Sequence, residues 1–130
     1  MNRFLATLGT AVAAASTLVA CGGGDGYTPY GAIAWDGGRP SAAVVANYRS
    51  QDTANTAAIE RCGGGGCIII FEFSGKGTCG ALAVGGGLNL VTGVATGPTA
   101  AEAEAAAVSS CTAKGGGNCA VPSSLPAKCM

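Results

Sequence analysis

Seven cysteines and seven acidic side chains carry most of the chemical potential of this 130-residue chain, which has no histidine. Without histidine a serine nucleophile lacks its usual base. No two cysteines stand two residues apart as zinc sites require, so neither a metal nor a cofactor is expected. A pair of carboxylates is the remaining arrangement that hydrolyses a bond unaided, as in glycosidases. Asp36, however, falls in a glycine-rich hairpin turn, Asp52 in the first turn of one helix, and Glu102 and Glu104 near the start of another. Aspartate and glutamate are favoured at such places for local reasons. Glu72 stands in "IIIFEF", where a period of two puts it on the face of Ile68 and Ile70. A strand emerging into water accounts for it as well as catalysis does. "GKGT" looks like part of a phosphate loop, but Gly77 follows Lys76 where Ser or Thr is needed, so it reads as a turn before Cys79. No catalytic residue is assigned.

The cysteines divide into one and six. Met1-Asn2-Arg3 and the uncharged run Phe4–Ala20 form the n-region and h-region of a signal peptide over residues 1–20. The run ends "LVAC", Leu18 to Cys21, which resembles the lipobox of bacterial lipoproteins. That resemblance implies cleavage before Cys21 and a diacylglycerol on its thiol, with the membrane as partner. Gly22 in the next position implies the outer membrane if the cell is Gram-negative. Residues 21–29, which include Gly22–Gly26, then read as a tether. Six cysteines remain, an even set that suits three disulfides in an exported domain. Net charge is zero and no basic cluster occurs, which argues against a nucleic-acid partner.

The elements that must position these residues come from a repeated phrase. Gly31–Cys62 and Gly80–Cys111 align without a gap, forty-nine positions apart: Gly31 with Gly80, Ala34 with Ala83, Val45 with Val94, Ala57 and Ala58 with Ala106 and Ala107, Cys62 with Cys111. An offset shared over a whole segment indicates one supersecondary unit used twice. In each unit a short apolar strand ("AIAW", "ALAV") precedes glycines and a second strand. A helix follows, with Ala54, Ala57, Ala58 and Cys62, or Ala103, Ala106, Ala107 and Cys111, on one face. Thr99 and Glu102 form a capping box, whereas Ser50 supplies only its first half. The third strands are "CIIIFEF" and "NCAV". The expected fold is α+β, one domain over residues 30–130, with two tandem β-β-α-β repeats (30–78 and 79–130). They are expected to build a largely antiparallel six-stranded sheet with two helices.

The motifs "YGAIAW", "ANTAAIERC", "CGALAVG" and "TAAEAEAAAVSSC" together resemble a bacterial family, domain of unknown function 4189. The resemblance spans nearly all of the chain after the tether. It implies an exported bacterial protein and supplies no catalytic residues.

Helix-ending Cys62 and Cys111 are expected to pair with Cys67 and Cys119 across glycine-rich loops, leaving Cys79 with Cys129, one of fifteen connectivities. Trp35, Arg39, Tyr48 and Arg49 lack counterparts in the second unit and form a candidate binding surface. The function expected is that of a non-catalytic envelope lipoprotein binding a protein or cell-wall component. The alternative is a small carboxylate-dependent periplasmic hydrolase. Intact-mass measurement of membrane-fraction protein is expected to show a chain beginning at Cys21 with acyl mass added, and Cys21→Ser to release it or stall its processing. A soluble mature chain starting elsewhere overturns the expectation.

Overall fold

In the computed structural model, which describes residues 26–39, 41–86 and 90–130, the chain is α+β. It runs β1 (Tyr30–Asp36), β2 (Ser41–Tyr48), α1 (Gln51–Cys62), β3 (Ile68–Ser74), β4 (Cys79–Gly86), β5 (Val91–Gly97), α2 (Ala100–Ala113), β6 (Gly117–Ala120) and β7 (Lys128–Cys129). The signal segment and Cys21 lie outside the described residues. Among the described residues no helix is long and apolar enough to cross a membrane.

The strands form two antiparallel sheets, not one of six strands: β2-β1-β3, and β5-β4-β6 with β7 also beside β4. Side-chain alternation explains the correction. Ala32 and Ala34 face α1, together with Ala43, Val45, Ala54, Ala58 and Cys62. Ala81 and Ala83 face α2 in the same way, with Ala103, Ala107 and Cys111. The opposite faces carry Ile33, Val44, Phe73 and Leu82, all buried in one further cluster. Each sheet is therefore apolar on both faces and needs two covers. A helix supplies one and the other sheet supplies the second, giving layers in the order helix, sheet, sheet, helix.

The helix starts differ from expectation in two respects. Ser50 has the complete capping box: its hydroxyl accepts from the Thr53 amide at 3.2 Å, and the Thr53 hydroxyl accepts from the Ser50 amide at 3.3 Å. At α2 the Thr99 hydroxyl accepts from the Glu102 amide at 3.2 Å, but the Glu102 carboxylate takes the Thr99 hydroxyl proton at 3.0 Å rather than the backbone amide. Gly63 closes α1 in the left-handed conformation, with its amide donating to Ile59.

Two register irregularities re-aim side chains. Ile33 pairs with Phe71 and Ala34 with Ile69, so Ile70 is an extra residue in β3. This bulge shifts the alternation: Glu72 does not share the face of Ile68 and Ile70 but that of Ile69, toward α1, where Asn55 donates to it at 2.7 Å. The second irregularity corrects the gapless alignment. Ala32 pairs with Val45, yet Ala81 pairs with Ala95, one position beyond the counterpart of Val45. Val94 thus faces the other sheet like Val44, not the helix like Val45. Four residues separate the paired Asp36 and Ser41, whereas five separate Gly85 and Val91. The first half recovers the missing residue at a bulge near Asn47, whose φ is 69°. Tyr30–Tyr48 and Cys79–Gly97 then pair forty-nine positions apart again, and both helices start in step.

Phe73 joins the sheets. Its ring lies against Gly31 in β1 and Gly80 in β4, and a Cβ built at Gly80 would stand 2.5 Å from it. Gly80→Ala is expected to lower stability by about 1–3 kcal/mol through overpacking, and Phe73→Ala by about 3–5 kcal/mol through the cavity left. Denaturant midpoints measure both. If Phe73→Leu does not relieve Gly80→Ala in the double variant, the ring is not the obstruction.

Candidate functional site

The described residues hold three disulfides, Cys62–Cys67, Cys79–Cys129 and Cys111–Cys119, and the first closes the loop beside the candidate site. These are the same three pairs as those expected from the spacing. The first and third have Cα separations of 6.2 and 6.0 Å, each spanning a glycine loop after a helix. The second has its Cα atoms 3.9 Å apart because Cys79 and Cys129 are direct cross-strand neighbours in the β4–β7 ladder.

At the hairpin end of β1, Asp36 is 6% exposed although it ends a strand. Its Oδ1 accepts from the Gly38 amide at 2.9 Å and the Arg39 amide at 3.3 Å, which sets the turn. The carboxylate also lies directly beneath the loop closed by Cys62–Cys67. A Cβ at Gly64 would stand 2.6 Å from Oδ2, and one at Gly66 2.8 Å from Oδ1. The glycines of "CGGGGC" thus give the loop room to rest on a buried carboxylate. The Ser41 hydroxyl donates to the Cys62 carbonyl and ties β2 to the end of α1.

Trp35 sits beside Asp36, half-buried against the cluster between the sheets and paired across strands with Ala42 and Ile68. Ile68 is 62% exposed, and Arg39 is exposed in the adjoining turn. Tyr48 and Arg49 stand at the far end of β2. Tyr48 packs on the α1 side, paired with Tyr30, and the Arg49 guanidinium lies 5.1 Å from the Tyr27 ring centroid. The four residues named from sequence do not form one surface; they make two pairs at opposite ends of β2. Ile68 belongs with the first pair and Tyr27 with the second. Ile68 was hidden inside an apolar run that reads as core; only its place directly after the disulfide loop marks it as a strand end.

Other polar residues are taken up in structural contacts. Glu104 accepts from the Ala127 amide at 3.0 Å, Glu102 accepts from the Thr99 hydroxyl that caps α2, and Glu72 accepts from Asn55, which accepts from Gln51 at 2.9 Å. Asp52 and Glu60 are exposed on α1. Lys76 is exposed in the β3–β4 turn between Gly75 and Gly77, both at positive φ. Among the described residues no three of His, Cys, Asp and Glu gather as metal ligands would.

Gly66→Ala is expected to cost about 1–3 kcal/mol by pressing a methyl into the Asp36 carboxylate. Asp36→Ala is expected to cost about 1–2 kcal/mol by leaving two amides without their acceptor. Measured together by denaturation, the two should be less than additive, since removing the carboxylate makes room for the methyl. Additive costs would mean that the loop does not rest on Asp36.

No curated protein and no solved structure matches the chain. Residues 30–125 match the family described as "Domain of unknown function (DUF4189)", a stretch that takes in every element from β1 to β6, and the chain belongs to that family.

Proposed function

We propose that this protein is a non-catalytic envelope lipoprotein, exported and anchored through Cys21, that binds a protein or cell-wall component at the hairpin end of β1. The observation that carries the binding reading is the grouping of Trp35, Arg39 and exposed Ile68 at one strand end. Tryptophan and arginine are frequent anchors of interfaces, and Ile68, 62% exposed, adds an aliphatic side chain beside them. The lipobox-like "LVAC" supports the anchor, and the three disulfides suit an oxidising compartment. The non-catalytic reading is supported by the structural contacts that occupy Asp36, Glu72, Glu102 and Glu104.

We also infer that the two halves are one β-β-α-β unit used twice. The matching element order supports this, as do the common offset of Gly31 and Gly80 against one ring and the parallel disulfides after each helix.

The test uses the full chain carrying Cys21→Ser as bait against envelope extract and isolated cell wall. Capture is expected to fall about tenfold or more with Ile68→Ser or Arg39→Ala, as at interface anchors. Arg49→Ala is expected to leave it unchanged. Equal loss from all three variants, or from none, overturns the placement of the site. Hydrolysis of cell-wall material by the chain, abolished by an acid-to-amide change, overturns the non-catalytic reading.

A further inference from the structure

The segment after β6 is held in an unusual way. It leaves β6 through Val121 and Pro122, arches past Leu125 and Pro126, and returns to β4 as the two-residue β7. Its apolar side chains divide between layers: Leu125 and Met130 pack between the sheets, Val121 and Ala127 toward α2. Its polar contacts reach α2, β2 and the β3–β4 turn. The Ala127 amide donates to Glu104 of α2, the Asn47 side chain of β2 donates to the Cys129 carbonyl at 3.1 Å, and the Met130 amide donates to the Thr78 carbonyl at 3.0 Å. The segment is a strap across the edge of the second sheet that also reaches the first.

One covalent bond adds to these contacts. Cys62–Cys67 and Cys111–Cys119 join residues five and eight positions apart, whereas Cys79–Cys129 spans fifty. Among these six cysteines only Cys129 is exposed; its partner Cys79 is 2% exposed. Thiol–disulfide exchange needs a sulfur that the attacking thiolate can reach.

We propose that residues 122–130 are a redox-releasable strap: Cys79–Cys129 is the first disulfide to open, and its opening frees the strap while both sheets stay folded. A dithiol, small or protein-borne, supplies the electrons. Its thiolate attacks the Cys129 sulfur, Cys79 leaves as a thiolate, and the second thiol of the reductant resolves the mixed disulfide. The products are two protein thiols and one oxidised dithiol. The freed backbone edge is that of β4 at Cys79 and Gly80, where β7 had paired.

The purified chain is treated with graded dithiothreitol, alkylated and mapped by mass spectrometry, with hydrogen exchange followed in parallel. Cys79 and Cys129 are expected to become alkylated at concentrations that leave the other four protected. Amide exchange should then rise about tenfold or more over residues 123–130 while the amides of β1, β5 and α2 keep their protection. Cys129→Ser, where it folds, should show the same exchange pattern without reductant. The proposal is overturned if another pair opens first, if opening Cys79–Cys129 unfolds the sheets, or if the strap stays protected once its bond is cut.

Discussion

The Phe73 ring occupies the place where side chains at Gly31 and Gly80 would stand, and the two sheets meet through that contact. It sets the terms for the rest of the molecule. A ring can be shared by two central strands only if both present bare backbone, so glycine is required at the start of β1 and again at the start of β4. The same economy of side chain governs the outer layers. A Cβ at Gly93 would run into the α2 backbone at Ala107 and Cys111, and one at Gly97 would lie 2.7 Å from the Ala103 nitrogen. Helices built on alanine lie close to sheets built on alanine and glycine. Such packing is dense, but each residue buries little apolar area, and Ile33, Leu82 and Val45 are the largest apolar side chains fully buried. A core this thin in a domain of about a hundred residues leaves a narrow margin over conformational entropy. The disulfides make up part of it by restricting the unfolded chain.

The elements and their order were legible because they rest on local signals. Alanines at helical spacing, hydroxyl caps, and glycines after short apolar strands specify β-β-α-β without reference to anything distant. The cysteine pairing was legible because a cysteine stands in the last turn of each helix, Cys62 at the end of α1 and Cys111 two residues before the end of α2, with another just beyond a glycine loop. The division into two sheets was not, because it depends on what covers the second face of each strand. Ile33 and Leu82 announce that a second apolar face exists, but not that the faces meet each other. The bulges were equally hidden. The extra residue at Ile70 and the bend at Asn47 leave chain length untouched, and an alignment sees length alone. Each nonetheless changes which side chains share a face, and so the environment of Glu72 and the partners of Val94.

The candidate surface shows the same limit. Trp35, Arg39, Tyr48 and Arg49 all lack counterparts in the second half, and divergence alone reads as one site. An antiparallel strand separates its ends, however: β2 carries Trp35's neighbour Ala42 at one end and Tyr48 at the other. Divergence therefore marks two places, and only the one beside Ile68 combines an exposed aliphatic with tryptophan and arginine.

The two hairpin ends differ in a way that bears on which is free for recognition. At Gly85, the counterpart of Asp36, a Cβ would stand 2.7 Å from the Cys119 sulfur and 2.9 Å from that of Cys111. There the disulfide itself lies on the strand, with both sulfurs against the Gly85 backbone. In the first half the carboxylate of Asp36 takes that space, and the Cys62–Cys67 loop rests on it instead. A charged group so placed must be solvated by the turn amides it accepts from, which fixes the conformation of Gly38 and Arg39. The polar filler does more than replace the disulfide's packing: by accepting from both amides it orders the turn at Gly38 and Arg39. A recognition residue set on an ordered turn loses less entropy on binding than one on a free loop. For the proposed binding reading, this difference is the argument for the first hairpin end over the second.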